Sequence, residues 1–396
     1  MDLKTPSPLR QKAPCPYYEM CGGCQLLHLS PQGQAAFKQE KVNLALGRFK
    51  EALPIVMAGE PYHYRNKSVA TFQKDRRGKF KSGIYEENTH RVVEVEDCLI
   101  QDTKANAIIK TIGSLLAGFK LEPYDEDRKK GFLRHVLVRT GYHTGEIMVV
   151  LVTGTLIFPS KNNFVKELRR IHPEITTILQ NVNDHDTSMV LGKREIVLFG
   201  SGAIEDTLLG RRFKISAGSF YQVNPAQTEL LYKIALEMAA IESRDIVLDA
   251  YCGTGTIGIL AARDAEAVIG VETSASAVKD AISNAKANQV KNIWFHQADA
   301  SELMAAMARD NQRIDVVFLD PPRTGSTVKF LEALIKLSPK RVVYISCEPQ
   351  TQARDITYLD KKGYKVQKIQ PVDMFPGTYH VEAIILMTRS GSGDKK

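Results

Sequence analysis

The spacing of apolar residues changes character about halfway along the chain. In the first half, short runs of β-branched and other apolar residues are bounded by Gly, Asn or Asp, which predicts strands. These runs are Val69–Gln73, Arg91–Glu96, His135–Thr140 and Glu146–Gly154. The turn sequence between the last two predicts an antiparallel hairpin. Apolar residues recur at helical spacing over Gln34–Leu46, which predicts one helix before the strands.

After about Ala217 the apolar runs alternate with helical segments, an order that predicts a parallel sheet with helices on both faces. The first helix of this half is predicted to begin with Asn224 as its N-cap and Pro225 in its first turn. The sequence therefore predicts an α/β fold of two domains with short tails. The predicted divisions are a tail over 1–14, a β-rich α+β domain over 15–215, a Rossmann-like domain over 216–390 and a tail over 391–396.

Composition indicates a folded protein with an anionic partner. Of the 396 residues, 43% are hydrophobic and 25% charged, which excludes disordered and fibrous classes. The net charge of +8 favours a polyanion such as a nucleic acid. The chain shows no signal-peptide pattern and no apolar run long enough to cross a membrane, so we expect a cytoplasmic protein. In that reducing compartment its six cysteines are expected to serve as ligands, nucleophiles or core residues.

The segment VLDAYCGTGTIG, Val247–Gly258, places a glycine-rich turn between a predicted strand and a predicted helix. Glycines such as Gly253 let the backbone approach a nucleotide closely, and a dinucleotide site is one alternative. Three acids at the ends of successive strands favour S-adenosylmethionine instead. They are Asp249 for the methionine end, Glu272 for the ribose hydroxyls and Asp299 near the adenine.

Two further strand ends indicate the chemistry. LDPPR, Leu319–Arg323, is typical of enzymes that methylate nucleic-acid bases, and YISCEP ends the next strand at Cys347. A thiol suits an unreactive carbon, because its addition to carbon 6 of uracil lets carbon 5 attack a sulfonium methyl group. A base must then remove the carbon-5 proton, and Glu382, flanked by apolar residues that raise the pKa of a carboxyl, is the candidate. The simpler interpretations are a core cysteine and an ordinary strand-edge glutamate.

Cysteines near the N-terminus form a second candidate site. PCPYYEMCGGCQ spaces Cys15, Cys21 and Cys24 as C-x5-C-x2-C, and Cys98 can fold back as a fourth ligand. The set suits an iron–sulfur cluster or a four-cysteine zinc site, and the spacing leaves both open.

The segment from Tyr62 to Ser82 carries seven basic residues and one acid among aromatics. Basic side chains neutralise phosphates and aromatic rings stack on unpaired bases, so this segment is a candidate RNA surface. A solvated charged hairpin is the alternative. The candidate RNA contacts are Arg65, Lys67, Arg76, Arg77 and, further along the chain, Phe220.

Together with FYQVNP and HVEA, these motifs resemble the RNA uridine-5-methyltransferase family. The resemblance runs from about Cys15 to the C-terminus and implies a class I methyltransferase domain, with a [4Fe-4S] cluster on Cys15, Cys21, Cys24 and Cys98. It implies Cys347 as the nucleophile and Glu382 as the base. The cofactor contacts that it implies are Gln222, Tyr251, Thr256, Glu272, Asp299 and Asp320.

Members of this family modify ribosomal or transfer RNA. Only 14 residues precede Cys15, so we expect the short branch without the N-terminal TRAM barrel, with 23S rRNA as substrate and tRNA as the alternative. An RNA cytosine-5 methyltransferase, which would be expected to carry a cysteine beside a proline where this chain has DPPR, is a further alternative. So is a non-catalytic iron–sulfur RNA-binding protein. The resemblance implies no obligate protein partner.

Overall fold

A computed structural model describes residues 7–75, 77–86 and 89–389. The candidate RNA contact Arg76 and the predicted tail 391–396 therefore lie outside the described residues. The described part of the predicted N-terminal tail runs beside a later segment, where the Gln11 backbone N–H donates to the carbonyl of His28.

The first half of the chain contains four helices and seven strands among its described residues. They are α1 (Tyr18–Cys21), α2 (Pro31–Leu46), β1 (Lys67–Lys74), β2 (Phe80–Tyr85), β3 (Val92–Glu94), α3 (Thr103–Gly118), β4 (Leu133–Thr140), β5 (Ile147–Thr153), α4 (Lys161–Ile171), β6 (Ile175–Val182) and β7 (Arg194–Phe199).

These strands form one mixed sheet in the order β3-β2-β1-β4-β5-β6-β7. The predicted hairpin is confirmed, since β4 and β5 pair antiparallel. The basic segment forms a second hairpin, because β1 turns back into β2. Helices α3 and α4 bury apolar residues such as Ile112 and Phe164 against strand residues such as Val136 and Val149. The sheet thus has a core of its own.

The second half follows through a small hairpin and a series of strands and helices. Its elements are β8 (Ala203–Leu208), β9 (Arg211–Ser216), α5 (Pro225–Ala239), β10 (Ile246–Asp249), α6 (Thr256–Ala261), β11 (Ala267–Glu272), α7 (Ala275–Ala287), β12 (Ile293–Gln297), α8 (Ala300–Arg309), β13 (Val316–Leu319), α9 (Val328–Leu337), β14 (Arg341–Ser346), α10 (Pro349–Asp360), β15 (Tyr364–Val372) and β16 (Glu382–Arg389).

The second sheet has the order β12-β11-β10-β13-β14-β16-β15. Strands β10 to β14 are parallel, as the alternating pattern predicted. The last strand corrects that prediction, because β16 runs antiparallel to both β14 and β15. A loop rather than a helix connects β15 to β16, and only a crossover would have restored the parallel direction. The beginning of β16 therefore lies at the edge where the parallel strands end.

Both helix starts that the sequence indicated have side-chain caps. The Asn224 side chain accepts a hydrogen bond from the backbone of Gln227, as predicted for the start of α5. Helix α2 begins earlier than the apolar pattern indicated, since the Ser30 side chain caps it ahead of Pro31. Its Val42 and Leu46 are buried in the apolar cluster of the second sheet. None of the helices in the described ranges is long and apolar enough to cross a membrane.

Candidate active site

Five predicted site residues occupy one edge of the second sheet. Asp249 and Glu272 are the last residues of β10 and β11, and Asp320 and Cys347 directly follow β13 and β14. Glu382 is the first residue of β16. Parallel strands end at the same edge of a sheet, which is where ligands bind in such folds. The reversed direction of β16 adds Glu382 to that edge.

The glycine turn is organised by two of the acids. Gly253 and Gly255 have φ values of +53° and +82°, which L side chains rarely adopt, and a Cβ on Gly255 would lie 2.9 Å from the Phe295 ring. The Gly258 backbone N–H donates to Asp249 Oδ2 at 2.8 Å, and the Gly253 N–H donates to Glu272 Oε2 at 3.2 Å. These bonds hold the backbone of the turn against the ends of β10 and β11.

A cavity of about 1090 Å³ opens at this edge and continues to the first domain. The predicted residues that line it are Cys15, Cys21, Cys24, Arg65, Lys67, Cys98, Phe220, Gln222, Tyr251, Gly253, Glu272, Asp299, Asp320, Cys347 and Glu382. Thr256 lines a smaller pocket of about 30 Å³ that shares Gln222, Tyr251 and Asp320 with the large cavity. Asp249 lies beneath the turn and lines neither.

Two carboxyl groups in the cavity are strongly perturbed. Burial raises the pKa of Glu382 to about 8, with a further increase from Asp320 and an opposing effect of Arg323. Burial likewise raises the pKa of Asp320 to about 7. Glu382 is only 4% exposed, and its Oε2 has no hydrogen-bond partner in the described structure. A buried polar atom without a partner is costly unless a ligand satisfies it, so this carboxyl is a candidate for contact with substrate.

Cys347 is half-buried beside the same charges. Burial raises the pKa of its thiol to about 11, and Glu382 adds to the increase. A hydrogen bond with Arg323 and the charge of that guanidinium act in the opposite direction. Thiolates are the reactive form of cysteine, so Arg323 favours the nucleophilic state.

Arg323 and His380 are site residues to which the sequence alone assigned no role. Nη2 of Arg323 lies 2.6 Å from Nδ1 of His380. Burial and Arg323 lower the pKa of His380 to about 4, so its ring is neutral near pH 7 and can accept a hydrogen bond from the guanidinium. Arg323 belongs to the DPPR motif and His380 to the segment before Glu382. Because the two residues belong to distant segments of the chain, no local sequence pattern predicts that they are in contact.

The four cysteines of the N-terminal set all line this cavity. Burial raises the pKa of Cys24 to about 12, and the thiols of Cys98, Cys21 and Cys15 raise it further, which shows that the four lie near one another. Within the described ranges, no three His, Cys, Asp or Glu side chains are arranged to hold a single metal ion. The Leu26 N–H donates to the carbonyl of Gly377, which connects the cysteine segment to the loop before Glu382.

The candidate RNA contacts separate into two groups. Arg65 and Lys67 line the cavity, and Phe220, 67% exposed, stands on its wall. Arg77 lies in the exposed turn between β1 and β2, where its N–H donates to Asp75, and it does not line the cavity. Arg77 therefore lies on the exposed hairpin and away from the candidate site, whereas Arg65 and Lys67 face that site.

The fold and the site together define a class I S-adenosylmethionine-dependent methyltransferase. The chain belongs to the tRNA (uracil-5-)-methyltransferase family, whose sequence model matches residues 31–390. It is an enzyme of the RNA (uracil-5-)-methyltransferase class.

Relatives and a solved structure agree with this assignment. An uncharacterized RNA methyltransferase of Clostridium tetani is 42% identical over 400 residues, covering 100% of this chain and 86% of that protein. One from Staphylococcus aureus is 41% identical over 98% of this chain and 86% of its own length. The crystal structure of Pyrococcus abyssi tRNA (uracil-54, C5)-methyltransferase with S-adenosyl-L-homocysteine has a TM-score of 0.77 and 27% identity, over 93% of this chain and 86% of that one.

Proposed function

We propose that this enzyme methylates carbon 5 of a specific uridine in RNA through a covalent adduct on Cys347, with Glu382 as the base that completes the cycle. The observation that carries the proposal is that both side chains line one cavity with Gly253 of the glycine turn and the acid Glu272. A thiol and a carboxylate in that arrangement suit methylation of carbon, whereas a nitrogen target needs no nucleophile.

The cofactor side of the cavity is proposed to hold S-adenosylmethionine, which supplies the methyl group as a sulfonium. Glu272 is suited to the ribose hydroxyls and Asp299 to the adenine. Tyr251, Gly253 and Thr256 would contact the bound cofactor from the glycine turn, and Gln222 from the facing loop. Asp249 would act one layer below, by holding the turn through Gly258.

On the substrate side, the Cys347 thiolate adds to carbon 6 of the uracil, and the electron pair moves to carbon 5 and the carbonyl oxygen. Carbon 5 then attacks the sulfonium methyl group. The bond between that methyl group and sulfur breaks, and S-adenosylhomocysteine is the leaving group. Glu382 removes the proton from carbon 5, the double bond re-forms, and the sulfur leaves carbon 6. A carboxyl whose pKa is raised to about 8 is a stronger base than an ordinary glutamate once it is ionised.

A [4Fe-4S] cluster on Cys15, Cys21, Cys24 and Cys98 is part of the proposal. The donor set suits it, because the four thiols line one cavity, and the other three raise the pKa of Cys24, an effect that bound cations would offset. When bound, the cluster would tie three cysteines near the N-terminus to Cys98 of the first domain. The Leu26–Gly377 hydrogen bond would extend that order to the loop before Glu382.

For the RNA class, 23S rRNA is proposed as the substrate, and the similarity to the Pyrococcus enzyme supports tRNA as the alternative. The two are separated by mapping 5-methyluridine in 23S rRNA and tRNA from cells with and without the gene. The expected result is loss of one methylated uridine in 23S rRNA from cells without the gene. Loss confined to tRNA would show that tRNA is the substrate instead.

The chemistry is tested with RNA that contains 5-fluorouridine, in which fluorine replaces the hydrogen on carbon 5, so that no proton can be removed there and the covalent adduct cannot break down. The wild-type enzyme should form a covalent complex with it, and Cys347→Ala should form none. Full methylation by Cys347→Ala would exclude the proposed nucleophile.

A further inference from the structure

Two cations that line the cavity, Arg65 and Lys67, and the buried Arg139 beside them lack a counter-ion. Lys67 on β1 lies directly opposite Arg139 on β4 in the antiparallel register. Arg65, two residues before Lys67, lines the same cavity. Among the residues that the structure describes, none of the three forms an ion pair with a carboxylate. This arrangement is unusual, since like charges directly opposite one another in a sheet are destabilising.

The charges are also partly removed from water. Arg139 is 2% exposed, and its Nε has no hydrogen-bond partner within the described chain. Burial lowers the pKa of the Lys67 ammonium to about 8, and the charges of Arg139 and Arg65 lower it further. A cluster that is buried, repulsive and incompletely hydrogen-bonded is stabilised when an anion binds beside it.

Arg139 also connects this cluster to the loop that carries Phe220 and Gln222. Its Nη2 donates to the carbonyl of Ala217 at 3.3 Å and to that of Ser219 at 2.5 Å. Those carbonyls flank the start of the segment that carries Phe220 and Gln222. The exposed ring of Phe220 thus stands on a loop held by the same guanidinium that lies beside Lys67. An aromatic platform next to a cationic group is the arrangement that binds a base and its phosphate.

We propose that Lys67, assisted by Arg65 and positioned against Arg139, forms a subsite for a backbone phosphodiester of the RNA beside the target uridine. Lys67 makes the direct contact, and Arg139 acts as a positioning residue through the loop that carries Phe220. The inference rests on the proposed function, because it assigns a phosphate contact within the same site. The other anion that can reach this cavity is the carboxylate of the cofactor, and the experiment separates the two.

The test compares Lys67→Gln with Lys67→Arg, which keeps the charge, and with Lys291→Gln on the exposed surface of the other domain. Binding of a labelled single-stranded oligouridylate is measured over a series of KCl concentrations. A plot of the logarithm of the association constant against the logarithm of the salt concentration has a negative slope. The magnitude of that slope should decrease by about 0.7 for Lys67→Gln, the effect of one phosphate contact in a single strand. It should stay at the wild-type value for Lys67→Arg and Lys291→Gln.

Two further measurements exclude a merely structural role and the cofactor carboxylate. Lys67→Gln should melt at a higher temperature than the wild type, because it removes the repulsion with Arg139, and should bind S-adenosylhomocysteine with unchanged affinity in calorimetry. A wild-type salt slope in Lys67→Gln would overturn the subsite. Weaker S-adenosylhomocysteine binding with an unchanged slope would assign the anion to the cofactor and overturn it as well.

A separate assay keeps this result distinct from the proposed function. The wild type is tested for transfer of labelled methyl groups from S-adenosylmethionine to total RNA from cells that lack the gene. If the wild type transfers methyl groups and Lys67→Gln keeps the wild-type slope, only the subsite fails. If the wild type transfers none, the proposed function fails. In an active enzyme, Lys67→Gln should raise KM for RNA and leave kcat unchanged, as expected for a contact made equally in substrate and transition state.

Discussion

The ammonium of Lys38 lies 2.5 Å from Oδ1 of Asp373, with both side chains almost inaccessible to water. Lys38 belongs to α2, and Asp373 begins the loop that leads to Glu382. Lys38 also donates to the carbonyl of Phe375 at 2.9 Å, and Gln34, one turn earlier, accepts from the Gly377 N–H. An N-terminal helix therefore fixes the loop before the proposed base.

Replacing Lys38 with Met should destabilise the protein by about 3–5 kcal/mol, because it leaves the Asp373 carboxylate buried without its partner. Chemical denaturation measures the free energy of unfolding. The control is Lys329→Met, which breaks the exposed pair with Glu302 and should cost about 1 kcal/mol or less. The double variant Lys38→Met/Asp373→Leu should recover much of the loss. Equal stability of Lys38→Met and the wild type would show that the pair contributes nothing.

Glu382→Gln should form the adduct and transfer the methyl group but fail to release the product. Its amide cannot accept the proton from carbon 5, so turnover should fall by roughly a hundredfold or more. A methylated RNA that migrates with the protein in a denaturing gel is the expected observation. Glu237→Gln, an exposed glutamate on α5, is the matched control. Product release by Glu382→Gln at the wild-type rate would remove Glu382 as the base.

The stability that Glu382 and Asp320 contribute should fall as the pH rises between about 4.5 and 8. In that window the folded protein keeps protons on Glu382 and Asp320 that the unfolded chain has released, because burial raises both pKa values. The contribution is complete below the unfolded pKa and disappears as the pH passes the folded one. Glu382→Gln should remove part of this slope, and its stability relative to the wild type should increase as the pH rises toward 8.

Thermal denaturation across the pH range measures this effect. Glu237→Gln should keep the wild-type pH profile, since that side chain is exposed in both states. A Glu382→Gln profile parallel to that of the wild type would show that Glu382 titrates normally in the fold.

Protein purified without oxygen should be brown and contain about four iron atoms per chain, as expected for a [4Fe-4S] cluster on four thiolates. Cys24→Ser should lose iron and become less stable. Cys252→Ala should keep it, because the buried Cys252 lies in the glycine turn and outside the set. A colourless protein with stoichiometric zinc would assign the four thiols to a zinc site instead.

Features that depend on residues close together in the chain could be predicted from the sequence alone. The cap at Asn224, the hairpin between β4 and β5 and the glycine turn each depend on residues close together in the chain. The acids at strand ends followed from the same logic, because parallel strands must deliver their ends to one edge. The sequence indicated Cys347 and Glu272 on these grounds, and Asp320 through the resemblance to the family, and the three side chains line one cavity.

Tertiary structure decided how distant segments meet. The antiparallel direction of β16 brings Glu382 to the edge that holds Cys347, although the apolar pattern of β16 is the same for either direction. Strand register places Lys67 opposite Arg139, and loop packing places Arg323 against His380. Asp249 is a further example. The sequence placed it at a strand end, but only the structure shows that its side chain contacts the turn above it rather than the cavity. Periodicity determines which face of an element is buried, whereas register and direction between elements depend on packing of the whole chain.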